Sequence, residues 1–116
     1  MEINDFYNEL EKINILLNEK QKEQLNKYYE YLVEYNSHTN VTAITNKEEV
    51  YLKHFYDSIT LTTTINFNDI DNMLDIGCGA GFPGLVIKII FPHIQLTLLD
   101  SNNKKTTFCK NLVKKI

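Results

Sequence analysis

The stretch Asp75–Ile76–Gly77–Cys78–Gly79–Ala80–Gly81–Phe82–Pro83–Gly84 holds all four glycines of a 116-residue chain. Glycine reaches φ > 0 without steric cost and lets the backbone approach another group closely, so this clustering marks a shaped turn. The turn is flanked by apolar segments. Residues 73–77 form a short apolar run that reads as a strand, and residues 84–91 read as a mostly apolar helix. Ile94, Leu96, Leu98 and Leu99 mark a second strand, and the chain from Lys104 is helical again. Strand, glycine turn, helix, strand, helix is the opening of a doubly wound α/β fold with a parallel sheet. Pro83 suits a first helical turn, where its missing N–H costs nothing.

A strand that enters a glycine turn and leaves as a helix is the setting of a nucleotide-cradling loop. A dinucleotide fingerprint counted from Gly77 needs glycine where Phe82 stands, which disfavours a nicotinamide-dependent oxidoreductase. The tighter D-x-G-x-G-x-G from Asp75 to Gly81 is the pattern of a class I S-adenosylmethionine (SAM) site, in which the acidic strand residue, Asp75, helps to order the turn. Gly77, Gly79 and Gly81 are then expected at the cofactor. Asp100 closes the second strand 19 residues after Gly81, where its carboxylate can accept hydrogen bonds from both ribose hydroxyls of an adenosyl ligand. The alternative is a plain tight turn with Asp100 as a helix cap.

Upstream the period is helical. Ile3, Phe6, Leu10, Ile13 and Leu17 predict a short amphipathic helix; after a polar break at residues 18–21, Leu25, Tyr28, Tyr29, Leu32, Val33 and Asn36 predict a second, of about 15 to 18 residues. The stripe Tyr28, Tyr31, Tyr35 reads as core and helix contact, and residues 36–46 read as a polar loop. A third helix is predicted from near Asn46, with Glu48 and Glu49 in its first turn, through Val50, Leu52, Phe55, Ile59 and Leu61, frayed by residues 62–64. His54 and Asp57 lie one turn apart on it, beside Ser58, and read as a hydrogen-bonded cluster that docks the helices on the α/β half. The chain thus divides into a helical segment, 1–71, and an α/β part, 72–116.

The composition, 43% hydrophobic and 23% charged with two prolines, excludes disordered and low-complexity classes. With no run of about 18 apolar residues and a polar, acidic start, the chain offers neither a membrane span nor a signal peptide and is expected in the cytoplasm. Cys78 and Cys109 lack metal-ligand spacing and are too few for a disulfide scaffold. Cys78 reads as a small spacer and Cys109 as a core residue, and no metal is expected. The net charge of −3 is uneven: residues 1–72 carry −7 and residues 73–116 carry +4. Every cation is lysine, which binds phosphate as a point charge without the planar fork of arginine. Five lysines and no acid in the last sixteen residues predict a polyanion near that end, with Lys104 and Lys105 the candidates for phosphate contact.

Further strings accompany the loop: Glu34–Tyr35–Asn36, Asn40–Val41–Thr42–Ala43–Ile44, Val50–Tyr51–Leu52–Lys53–His54–Phe55–Tyr56–Asp57–Ser58 and Leu99–Asp100–Ser101–Asn102–Asn103–Lys104–Lys105. Through them nearly the whole chain resembles the bacterial small-subunit rRNA (guanine-N7) methyltransferase family RsmG/GidB. The resemblance implies a Rossmann-like class I sheet beginning at residue 72, and SAM-dependent methylation of N7 of guanosine 527 in the 530 loop of 16S rRNA by a cytoplasmic monomer. It carries over Gly77 and Phe82 as loop contacts to the cofactor and Asp100 as the ribose-binding acid. Lys104, Lys105 and His54 are the RNA-contact candidates. No catalytic acid or base is assigned, because N7 has a lone pair and no proton and needs only orientation. The family often has Trp at the place of Tyr35 and Lys-Arg at the place of Lys104–Lys105. Its members are longer, with further strands and cofactor contacts, so this chain is expected to be a truncated N-terminal and glycine-loop part, inactive alone. The alternative is a non-catalytic module that binds an adenosyl ligand or RNA.

Overall fold

A computed structural model of the chain describes residues 3–36, 46–77 and 79–116. The expectations for the loop at residues 37–45, including the Asn40–Ile44 string, and for Cys78 lie outside them.

Helix α1 is Ile3–Lys12, shorter than its hydrophobic period predicts. Asn14 takes φ 63°, and the N–H groups of Asn14 and Ile15 donate to the carbonyls of Glu11 (3.0 Å) and Leu10 (2.9 Å). That is a Schellman motif with Asn in place of glycine, and it turns the chain so that Ile13 and Leu17 reach the core from beyond the helix. The polar break that follows is a cap. Asn18 Oδ1 accepts from the Gln21 N–H (2.8 Å) while Gln21 Oε1 accepts from the Asn18 N–H (2.9 Å), a capping box that opens α2, Glu19–Asn36.

The third helical segment departs from a plain α-helix. Asn46 caps it, accepting from the N–H groups of Glu48 and Glu49 at 3.0 and 3.2 Å. After one α turn, α3 (Lys47–Glu49), the chain widens into a π-helical turn over Val50–Tyr56, returns to α over α4 (Asp57–Ile59) and tightens to 3-10 over Thr60–Thr63. The wide turn presents Val50, Tyr51 and Phe55 to the core together. The tight end follows from its threonines: the hydroxyls of Thr60, Thr63 and Thr64 each donate to the carbonyl three residues earlier. A 3-10 turn at Phe67–Asp69 leads into the sheet.

Strands β1 (Asn72–Ile76) and β2 (Gln95–Leu99) pair in parallel, with Asn72 opposite Gln95 and Ile76 opposite Leu99. Between them runs α5, Gly84–Ile90, and after them α6, Asn103–Lys115. Pro83 stands one position before α5 rather than inside its first turn. Asp75, Leu96 and Leu98 are turned inward, whereas Leu74, Ile76 and Leu99 on the opposite face are 54%, 75% and 49% exposed. Parallel sheets ordinarily bury both faces, so this face is open among the described residues.

One core joins the helical and α/β parts. Phe6, Leu10, Leu25, Tyr28, Leu32, Tyr51, Phe55 and Ile59 pack in a single cluster with Leu85, Val86, Phe108 and Leu112. The Tyr28, Tyr31, Tyr35 stripe is core and helix contact as expected: Tyr31 stacks on Phe108 at 5.3 Å, and Tyr35 meets its edge at 5.2 Å. Phe55 is fully buried and touches the rings of Tyr28 (5.2 Å), Tyr51 (4.8 Å) and Phe82 (6.0 Å). Phe55→Ala is expected to lower unfolding free energy in urea by about 3–5 kcal/mol, and a loss below about 1 kcal/mol would show that the aromatic cluster does not hold the two parts together.

Candidate functional site

β1 hands the chain to the glycine loop without a break, because the Gly77 N–H donates to the Leu99 carbonyl at 2.7 Å and continues the ladder. Gly77, Gly79 and Gly81 then take φ of 71°, 55° and 97°. A side chain in the left-handed region is strained by roughly 1–2 kcal/mol per residue, which explains glycine at alternate positions. Their surroundings differ. A Cβ on Gly77 or Gly79 would meet nothing within 4 Å, whereas one on Gly81 would strike the Tyr28 hydroxyl and Leu85 Cδ1. The first two glycines face open space and the third faces the protein.

The loop is braced from four elements. Asp100, just past β2, accepts the Gly79 N–H on Oδ2 (2.9 Å) and the Asn102 N–H on Oδ1 (2.8 Å). Asp75 in β1 accepts the Gly84 N–H on Oδ2 at 2.9 Å, tying the start of α5 to the strand. The Tyr28 hydroxyl, from α2, donates to the Ala80 carbonyl at 2.5 Å, and the Cys109 thiol, from α6, reaches the Gly79 carbonyl at 3.5 Å. Asn102 also caps α6, accepting from the Lys104 and Lys105 N–H groups at 2.9 and 3.2 Å.

The two carboxylates titrate in opposite senses. The N–H groups of Asn102 and Gly79 hold Asp100 below the usual carboxylate range, with Lys105 adding a smaller push in the same direction. Burial pushes Asp75 up, partly opposed by the Gly84 N–H. Asp75 is only 8% exposed, so it shapes the loop from beneath. Asp100's contribution to stability is present above its unfolded value and lost as pH falls through its lowered folded value. Asp75's is present at low pH and lost as pH rises through its raised one.

Phe82 turns its ring toward the helical part. It lies parallel to Tyr28 (5.3 Å, 5°) and to His54 (4.3 Å, 5°). His54 therefore docks the helices on the α/β half as expected, but chiefly ring on ring. In the expected polar cluster, Ser58 Oγ donates to the His54 carbonyl at 2.6 Å, and Asp57 acts on the imidazole through its charge, partly opposing the burial that holds His54 below the ordinary imidazole range. Lys104 is exposed and Lys105 half-buried at the start of α6, next to Asp100. Gly77, Gly79, Gly81 and Phe82 thus form one loop, which Asp75 meets from β1 and Asp100 from just past β2. His54 meets it through Phe82, and the two lysines meet it through the α6 cap.

Three contributors escaped the sequence reading. Tyr28 looked like one more core aromatic, Cys109 like inert filling, and Gly84 like a helix start. Nothing local marks a partner 52 positions away, as Ala80 is for Tyr28. The loop is open beside Gly77 and Gly79, and each Asp100 oxygen keeps a second lone pair after its backbone bond. Gly84 tests the packing beneath. A Cβ there would lie 2.8 Å from Asp75 Oδ2 and 2.9 Å from Leu98 Cδ2. Overpacking of about 1–3 kcal/mol then outweighs the roughly 0.5–1 kcal/mol that alanine gains in a helix. Gly84→Ala is expected to be less stable than the parent in urea denaturation; equal or greater stability would mean that the Asp75 brace gives way freely.

The GidB family model, described as rRNA small subunit methyltransferase G, matches residues 21–116. The chain is 50% identical over 112 residues to Ribosomal RNA small subunit methyltransferase G of Bacillus subtilis (strain 168), covering 97% of this chain and 47% of that protein. Against the protein of the same name from Streptococcus pyogenes serotype M2 (strain MGAS10270) it is 50% identical over 113 residues, with 97% and 48% covered. The chain spans about half the length of the curated relatives it matches. Its helices and short parallel sheet are consistent with part of a methyltransferase fold, and among the described residues no helix is long and apolar enough to cross a membrane. By the match of the family model over most of its length, the chain belongs to the GidB family of rRNA small subunit methyltransferase G proteins.

Proposed function

We propose that this chain is the SAM-binding opening of a Rossmann-like class I methyltransferase that modifies N7 of guanosine 527 in the 530 loop of 16S rRNA in the cytoplasm. In this reading residues 72–116 begin the cofactor sheet and residues 1–71 form a helical cap. The observation that carries the reading is the pairing of Asp100 with Gly79, 2.9 Å apart at the mouth of a loop whose first two glycines face open space.

When bound, SAM supplies an electrophilic methyl group on sulfur. The loop N–H groups and Asp100 would hold the adenosyl part, Asp100 receiving the ribose hydroxyls on its remaining lone pairs. Its lowered pKa keeps it an acceptor throughout the neutral range. Asp75 and Tyr28 act beneath, fixing the loop backbone. Guanine N7 brings its own lone pair, so the protein's work is alignment and exclusion of water, not proton transfer. In this reading Lys104 and Lys105 serve as phosphate contacts to the RNA, and His54 on the cap offers a ring for base stacking.

Calorimetric titration tests the assignment. The parent chain is expected to bind SAM and not NAD. Asp100→Ala should weaken SAM by roughly tenfold to a hundredfold, the usual range for losing a charged acceptor, and unchanged affinity would refute the role of Asp100.

A further inference from the structure

Beside the glycine loop, on the side of the helical cap, lies a cavity of about 310 Å³ that the cofactor reading does not use. One wall is the segment from Lys53 to Leu61, contributing Lys53, His54, Asp57 and Ser58; the other is the loop itself, through Phe82 and Pro83. The volume is at the small end of the roughly 300–1,000 Å³ typical of small-ligand pockets. We propose that this cavity receives the target guanine, lying against the His54–Phe82 stack with its Watson–Crick edge on the Asp57 carboxylate and its N7 edge toward the Phe82–Pro83 wall. The proposal rests on the methyl-transfer reading for why a base should come here.

The chemistry selects guanine among the four bases. An ionised carboxylate only accepts hydrogen bonds, and it is best satisfied by two adjacent donors. Guanine presents N1–H beside the N2 amino group. Adenine offers a donor beside an acceptor, cytosine one donor and two acceptors, and uracil a donor between acceptors, so each of these sets a lone pair against Asp57. Lys53, one turn earlier on the same wall, is the cation able to answer the remaining acceptor, O6; its ammonium stands 4.0 Å from Glu49, at the edge of ion-pair range. Ser58 Oγ has given its one donor to the His54 carbonyl, and Asp57 is the carboxylate among the residues lining this wall. The stacking side is preformed: Phe82 lies parallel to both His54 (4.3 Å) and Tyr28 (5.3 Å), so the base is received on the His54 ring, whose aromatic face suits base stacking. With the Watson–Crick edge turned to the helix, the adjoining edge, which carries N7 beside O6, is the one left to face the glycine loop.

The test is a specificity switch. His54 ring resonances of the parent chain are followed by NMR while GMP, IMP, AMP or xanthosine 5′-monophosphate is added. GMP is expected to shift them saturably, and to bind roughly fivefold to a hundredfold more tightly than AMP or IMP, which lacks the N2 amino group. Asp57→Asn turns one acceptor into a donor; it should lose the preference for GMP and favour xanthosine monophosphate, whose C2 carbonyl takes the place of the amino group. A purely structural role for Asp57 moves no such ranking. No saturable GMP shift, equal binding of GMP and IMP to the parent, or a GMP preference that survives Asp57→Asn overturns the proposal. The parent comparison of GMP with IMP stands if the variant fails to fold. SAM titrated in parallel separates the two readings: SAM binding without GMP recognition sinks the pocket alone, and GMP recognition without SAM binding sinks the methyl-transfer reading.

Discussion

A backbone that alternates into positive φ at Gly77, Gly79 and Gly81 cannot satisfy its own polar groups, because no regular ladder follows that path. Each inward-facing group must find a partner elsewhere, and here the partners come from every layer of the molecule. Asp100 accepts from the Gly79 N–H, Asp75 from the Gly84 N–H, the Tyr28 hydroxyl donates to the Ala80 carbonyl and Cys109 approaches the Gly79 carbonyl. Loop shape, sheet register and helix docking are therefore one problem. A one-residue slip of β2 against β1 would turn residues to the opposite face and carry Asp100 away from the loop.

The helical part is joined to this arrangement by packing and not by a linker alone. Phe82 leaves the loop to lie against Tyr28 and His54, and Phe55 packs against the rings of Tyr28 and Phe82. The π turn over Val50–Tyr56 gives the segment its placement: Tyr51 and Phe55 enter the core while His54 is half-buried at the loop and Lys53 stays exposed. Wide turns of this kind recur at functional sites, since the extra residue per turn shifts which side chains share a face.

The charge count overstates what is available to a polyanion. Lys22, Lys47 and Lys115 lie over the rings of Tyr7, Tyr29 and Tyr31 at 4.8, 5.6 and 5.4 Å. In a chain whose cations are all lysine, these contacts use ammonium groups for packing as well as for solubility. Lys104 and Lys105 stand at the head of α6, where Lys105 acts on Asp100 through its charge.

The succession of strand, glycine turn, helix, strand and helix was legible because each element announces itself locally: apolar runs of strand length, glycines where φ must be positive, and Asn46 where a helix begins. The loop residues and Asp100 were legible for the same reason, since their spacing follows from the lengths of β1, α5 and β2. The end of α1 at Lys12 was not, because Asn14 adopts its left-handed conformation without the glycine that usually signals it. Nor was the π turn, whose wide spacing is favoured by packing of Tyr51 and Phe55 and not by local preference. By itself the sequence determined which backbone positions could form a ligand-cradling turn and where an acceptor carboxylate would follow. Only the tertiary structure decided that Asp75 serves the loop from below, that Tyr28 and Cys109 brace it, and that Phe82 faces His54 to wall a cavity, because those relations join residues far apart along the chain, where no periodicity reaches.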